Sequence, residues 1–401
     1  EKQFPDEPVI EAAVRETLGN TYMELGEWTT ALSHAERALA LTREQLGDRH
    51  RRTLSAMQLV GRLYRRLGRY EEAERALSEM VESARSTLGA EDPLTTQGMN
   101  NLAYALAELG RMRDASALNR EALEIRTRTL GPEHVETLRS LHNQAYYEAE
   151  TFGRYVDAER LYGRAYELRE KVLGPNHPDT LSSMGNLANM WVGLGRYDDA
   201  ERLHVERLKR AKATLGERHP MVLRNLGMLG DLYTRQRRYE DAERLLVPLL
   251  GFWRERVGDS HREVAETLWR LGDMYVGQER FEEAETAFRR ALEIQRATIG
   301  RKHQRTHRLT FRLGEFYLGR GQYDRAEEPL VEAANGLEQT FGRDHPEFQA
   351  ARRALVAMYE AWHAVDPEQG YDAKAAAWRG DDPVAPPAQT IPPREPANES
   401  P

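Results

Sequence analysis

Cysteine is absent from the chain, so disulfides and thiolate metal centres are excluded. No apolar run approaches the ~20 residues that cross a bilayer, and no leader pattern opens the sequence. A cytoplasmic location with no membrane partner is expected. Lysine is scarce: of 57 basic residues 6 are Lys and 51 Arg, a skew that suits a GC-rich bacterial genome. The formal net charge is −8 and no basic stripe is visible. Phosphate backbones require a basic face, so nucleic acid is not an expected partner. No stretch alternates with period two over a useful length, which removes β-strands. What remains is 401 residues, 40% hydrophobic and 30% charged. That length exceeds an ordinary single core and points to several domains or a repeat array. The chain opens EKQFPDEP without Met, which suits a segment of a longer protein.

A repeat is present. "LGDRHRRTL" begins at Leu46, "LGPEHVETL" at Leu130, "LGPNHPDTL" at Leu173 and "LGERHPMVL" at Leu215. The glycines of eight such phrases are Gly47, Gly89, Gly131, Gly174, Gly216, Gly258, Gly300 and Gly342, spaced 42 residues apart with a single 43. A second marker runs half a period out of phase, as in "LGRYEEAERAL" from Leu67 and "LGRYDDAERL" from Leu194. Each period therefore holds two helices and two turns. Tyr70, Ala73, Ala76, Leu77, Met80, Val81, Ala84 and Leu88 recur every three or four residues, as on the apolar face of an amphipathic helix. Leu181, Met184, Leu187, Ala188, Trp191 and Leu194 do the same.

The phrase rich in Gly, His and Asp reads as a connector. Its glycine sits just past a helix end, where a left-handed residue is cheapest as Gly, and His-Pro opens the next helix. Seven of the twelve histidines (His50, His134, His177, His219, His261, His303, His345) share this slot, with Asp92 in the remaining copy. Equivalent points in stacked helix pairs lie roughly 10 Å apart or more, too far for a metal or catalytic cluster.

The helix ends "NLAYALAELG" (101–110) and "NLANMWVGLG" (186–195), followed by "RYxEAExL", resemble the tetratricopeptide repeat in the 42-residue form of kinesin light chains and their bacterial relatives. The resemblance covers about residues 9–379. It implies an all-α, right-handed superhelical solenoid of antiparallel helix pairs: a lead-in over 1–8, eight repeats plus a C-terminal capping pair over 9–379, and a disordered Pro-rich tail over 380–401. Departures are local. Arg237 and Glu279 replace the turn glycine, and one residue is inserted between Asn143 and Gly153. A bulge or looser turn, with a kink in the stack, is expected at the insertion. The phrases "FPDEPVIEAAVRETLGNTYMELGEW", "ALVAMYEAW" and "AAAWR" are also similar to repeat regions behind bacterial eukaryotic-like Ser/Thr kinase domains.

Catalytic signatures are missing. There is no phosphate-binding glycine loop, nucleophile elbow or paired-histidine zinc motif. Acids such as those of "YEEAE" follow the repeat and suit the N-terminal dipole of a helix. No enzyme activity, metal or cofactor is expected within these residues. The resemblance instead implies a groove, lined by the first helix of each repeat, that holds a peptide or protein. Its inward positions would be Gln97, Asn100, Tyr104, Arg139, His142, Tyr146, Ser182 and Asn189, with Asn101, Asn143 and Asn186 in a recurrent slot beside them. Amides can both donate to and accept from a peptide backbone, although an Asn there could equally stitch neighbouring helices. Tyr supplies apolar area with a polar end. Further along, Asp231, Asp273 and Glu315 share one inner position, with Arg224, Glu266 and Arg308 at another. Arg270 and Arg312 stand three residues before Asp273 and Glu315, a spacing that permits ion pairs along one helix. An acidic patch selecting a basic peptide, with Trp269 and Phe311 as apolar anchors, is the alternative. Two functional readings follow: a non-enzymatic interaction scaffold, or the regulatory or substrate-recruiting region of a bacterial signalling enzyme such as a Ser/Thr kinase.

Overall fold

A computed structural model describes residues 7–379. The expected Pro-rich tail over 380–401 lies outside the described residues, as do residues 1–6 of the lead-in. Among the described residues regular structure is helical, and α-helices follow one another in pairs. The chain divides into two compact units, Glu1–Tyr147 and Glu148–Pro401. The first holds α1 (Pro8–Glu24), α2 (Trp28–Leu46), α3 (Arg51–Arg66), α4 (Tyr70–Thr87), α5 (Pro93–Glu108), α6 (Met112–Leu130) and most of α7 (Val135–Phe152). The second continues with α8 (Tyr155–Leu173), α9 (Pro178–Gly193), α10 (Tyr197–Leu215), α11 (Pro220–Arg235), α12 (Tyr239–Val257) and α13 (Arg262–Gly277). It ends with α14 (Phe281–Ile299), α15 (Gln304–Gly319), α16 (Tyr323–Phe341), α17 (Pro346–Val365) and α18 (Tyr371–Arg379).

The repeated histidine starts every odd-numbered helix from α3 except α5. In all seven copies its Nδ1 accepts the backbone N–H two residues on, at 3.1–3.3 Å. Asp92 does the same for α5 with a carboxylate oxygen at 2.8 Å. This satisfies one of the N–H groups that a helix start leaves unpaired. The glycine before it differs from expectation. Gly47 has φ 82 and ψ 164, and Gly174 φ 89 and ψ 163. The chain leaves the helix at positive φ but in an extended conformation, a region that is essentially closed to side-chain-bearing residues.

The other turn is braced by its arginine. Arg196 lies over the Trp191 ring at 4.8 Å, donates to Asp199 at 3.0 Å and reaches Glu159 of the preceding pair at 2.7 Å. Arg238 repeats this with Tyr233, Asp241 and Glu201, and Arg280 with Tyr275, Glu283 and Glu243. The acids of "YEDAE" thus hold the turn as well as meeting a helix dipole.

No bulge forms at Arg237 or Glu279. Both keep the glycine geometry at φ 60 and φ 62, and Arg238 N donates to Tyr233 O at 2.8 Å as Arg111 N does to Leu106 O. The strain stays in the backbone instead, at roughly 1–2 kcal/mol per residue. Arg237→Gly and Glu279→Gly are therefore each expected to raise stability by about 0.5–1 kcal/mol, read from urea unfolding midpoints. The inserted residue before Gly153 does loosen its turn: Arg154 N donates to Glu148 O, one residue further back, and α7 has 18 residues against 16 in α5 and α9.

The core lies between paired helices. Position 61 and its 42-residue equivalents 103, 145, 188, 230, 272 and 314 hold only Gly or Ala. A Cβ on Gly61 would meet Leu77 Cγ at 2.5 Å, and one on Gly272 would meet Phe288 Cε1 at 2.6 Å. The small side chain lets a large one from the following helix reach the axis. In the second unit the start also meets the end. Arg308 on α15 holds Glu150 of α7 at 2.6 Å and Glu347 of α17 at 2.8 Å, and His345 bonds Glu150 O at 3.2 Å.

Candidate functional site

In the first unit α3, α5 and α7 turn corresponding side chains to one open cleft of about 270 Å³. Gln97, Asn100, Asn101 and Tyr104 from α5 and Arg139 from α7 line it, five of the residues expected at the groove. Gln58, Arg62 and Arg65 from α3, with Arg126 from α6 and Glu136 from α7, complete the wall.

The floor is a hydrogen-bonded network. Arg126 is 1% exposed, donates to Glu136 O at 3.1 Å and Ser140 Oγ at 2.9 Å, and pairs with the Glu136 carboxylate at 3.1 Å. Glu136 also holds Arg139 at 3.0 Å. Asn100 is buried and donates to Ser140 Oγ at 3.3 Å. Tyr104 Oη donates to the buried Asn143 at 2.8 Å, and the Arg65 guanidinium sits over the Tyr104 ring at 5.0 Å. Asn100 and Asn143 thus stitch helices together, while Gln97 and Arg139 stand exposed at the rim. Burial pushes the pKa of Arg62 down, with Arg65, Arg66 and Arg139 adding to it against a partial offset from Glu24. Burial likewise depresses Arg65 and Arg126.

His142 and Tyr146 are half-buried on α7, outside this lining, and Tyr146 packs edge-on to Tyr147 at 5.5 Å. Their neighbour Tyr147 is buried and its pKa is raised by that burial. Ser182, Asn186 and Asn189 are half-buried on α9. Elsewhere in the second unit the inner charges are paired. Asp231 is held by Arg235 at 3.0 Å, Asp273 by Arg312 at 2.5 Å, and Glu315 by the same Arg312 at 2.6 Å. Arg270 does not turn to Asp273 three residues on. It pairs backwards with Glu266 at 2.8 Å, because Arg312 of the next repeat already occupies Asp273. Arg270 draws the Glu266 pKa down to about 2, whereas burial pushes Asp273 up. Arg224 is exposed at 3.6 Å from Glu263. Trp269 and Phe311 are half-buried, and Trp269 Nε1 has no hydrogen-bond partner among the described residues.

Comparison with known proteins decides the family. Two Tetratricopeptide repeat profiles match, one over residues 10–86, 149–213, 192–247, 250–297 and 263–339, the other over 95–136. The chain belongs to the tetratricopeptide repeat family. No curated protein matches it. Solved neighbours of this tetratricopeptide repeat chain include nearly identical TPR-like repeats of a Podosopora anserina protein classed as a kinesin light chain. The identity is 24% and the TM-score 0.46, over 52% of this chain and 98% of that one. A Rap protein complexed with Competence and Sporulation Factor aligns at 14% identity and TM-score 0.62, over 92% of this chain and 100% of its own. The Rap conjugation gene regulator of plasmid pLS20, solved with the Phr* peptide, aligns at 15% and 0.53, over 73% and 76%. These likenesses concern fold.

Gln58, Arg62, Arg65, Arg126 and Glu136 were missed by the sequence reading. Counting 42 residues back from Asn100 and Tyr104 reaches Gln58 and Arg62, so the register itself held that signal. Arg126 comes from a second helix, in a slot five residues before the repeat glycine that Thr42, Ala84, Arg169, Ala211, Trp253, Gln295 and Leu337 fill in the other copies, so no single residue type marks it.

Proposed function

We propose that this tetratricopeptide repeat chain is a non-enzymatic scaffold that grips an extended segment of a partner protein along the odd-numbered helices of its first unit. The observation that carries the reading is the cleft of the first unit, where side chains of α3, α5 and α7 gather amide, phenol and guanidinium groups around one open space. Such groups can pair with a peptide backbone while Tyr104 supplies contact area. The Rap conjugation gene regulator, a fold neighbour solved with the Phr* peptide, supports a peptide as the ligand class. In the second unit Ser182, Asn186, Asn189, Arg224, Trp269 and Phe311 are proposed as a surface of its own. Asp231, Asp273 and Glu315 belong to it only when their arginines release them.

Selection of a random peptide library on the full chain is expected to return a shared pattern. Gln97→Ala/Asn101→Ala/Tyr104→Ala should then weaken the selected peptides about tenfold with helix content unchanged. Peptides held equally well by wild type and variant would refute the assignment.

A further inference from the structure

We infer that the arginine end of the first unit's cleft is a subsite for a dianionic phosphoryl group carried by the peptide ligand. The inference rests on the peptide-binding reading above, and it adds what that peptide carries. Four guanidiniums, Arg62, Arg65, Arg126 and Arg139, line the cleft against one carboxylate, Glu136. Glu136 is already shared between Arg126 and Arg139. Neither Arg62 nor Arg65 makes an ion pair with any described residue, and the Nε atoms of Arg65 and Arg126 are buried without a hydrogen-bond partner among them.

The inner arginines of the second unit are mostly answered by acids. There Arg308 meets two carboxylates, Arg312 two, and Arg270 and Arg235 one each, while the buried Arg207 is met by Leu181 O and Asn225 Oδ1. Desolvated cations without partners are costly, and a chain with a net charge of −8 has carboxylates available to pair them. The lining carries three more guanidiniums than carboxylates, and Glu24 and Glu108 offset Arg62 and Arg65 only through space, so an incoming anion would supply the missing direct partner. A phosphoryl group brings two negative charges and three acceptor oxygens, which planar guanidiniums meet with paired N–H donors. A single carboxylate would cover less of the excess. A nucleic-acid strand is disfavoured, because one recess of about 270 Å³ cannot follow a polyphosphate backbone.

The test is calorimetric titration of the full chain with three probes: inorganic phosphate, a capped Ala-phosphothreonine-Ala tripeptide, and the same tripeptide with Glu at its centre. Saturable binding of the phosphotripeptide is expected, at least about tenfold tighter than the Glu tripeptide, and tighter than free phosphate. Arg62→Gln and Arg65→Gln should each weaken it about tenfold, whereas Arg52→Gln, outside the cleft, should leave it unchanged. Removing a half-buried cation that lacks an ion pair should not lower the thermal midpoint of Arg62→Gln, so this variant remains folded. Phosphate should raise the midpoint of wild type and not that of the combined Arg62→Gln/Arg65→Gln variant.

No binding of either phosphate-bearing probe, equal binding of the Glu tripeptide, or binding insensitive to both substitutions would each overturn the inference. Inorganic phosphate as tight as the phosphotripeptide would overturn its peptide-borne part. The two readings fail separately. Library peptides that depend on Tyr104 while phosphoryl probes do not bind leave the scaffold and remove this subsite. Phosphoryl binding without any selected peptide does the reverse.

Discussion

Arg308→Ala is expected to destabilise the second unit by about 3 kcal/mol, the lower end of the loss seen when one member of a buried ion network is removed. The arginine touches Glu150 at 2.6 Å and Glu347 at 2.8 Å, and all three side chains are about three-quarters buried. Burial alone would lower the Arg308 pKa, yet the two carboxylates hold it well above the usual value. Truncation leaves both acids desolvated and facing each other, so the cost comes mainly from what remains. Adding Glu150→Gln and Glu347→Gln to Arg308→Ala should therefore recover part of the loss, a non-additivity that distinguishes stranded charge from lost packing. Urea unfolding of wild type, Arg308→Ala, Glu150→Gln/Glu347→Gln and the triple variant reads it. A single-variant effect within about 0.5 kcal/mol would place Arg308 among ordinary surface charges and refute its closing role.

That contact shows why parts of the molecule could be read from the chain and others could not. Helix starts were legible because their determinants are local: a histidine or Asp92 caps the N–H two residues on, at a phase repeated every 42 residues. The small slot from Gly61 to Gly314 was hidden, since its reason is a Leu or Phe sixteen residues later in a packed partner. Partner choice among charges was legible only in part. Arg312 and Glu315 pair along one helix as their spacing suggests. Arg270 and Asp273 have the same spacing and do not pair, because competition from the neighbouring repeat is invisible in a single helix. Glu150 and Arg308 are 158 residues apart, with nothing local to join them. The cleft fell between these cases. Its amides and Tyr104 followed from register, but Arg126 required knowing that a second helix could bury a guanidinium beneath them.

Acid should weaken the second unit well before its ion pairs titrate. His204 on α10 is fully buried, and burial lowers its pKa to about 4. Asn225 Oδ1 lies 2.9 Å from its Nδ1 and also accepts from Arg207 at 2.7 Å, so His204 donates through Nδ1. Its Nε2 is buried with no partner among the described residues, and a second proton there would be an unanswered charge. The folded pKa lies below the unfolded value of ~6.5, so the stabilisation is complete above pH ~6.5 and is lost as pH falls towards 4. Over about 2.5 pH units the loss is about 3 kcal/mol. His345 shifts in the same direction through burial, and protonating its Nδ1 would also remove the cap on α17. Glu266, held down to about 2, loses its contribution only below pH ~4.3, which separates the two effects. Urea midpoints should fall between pH ~6.5 and ~4.5, and His204→Gln should flatten that fall whatever it does to stability near neutrality. An unchanged slope in the variant would mean that the acid sensitivity arises elsewhere and that the ring is not held neutral by its burial.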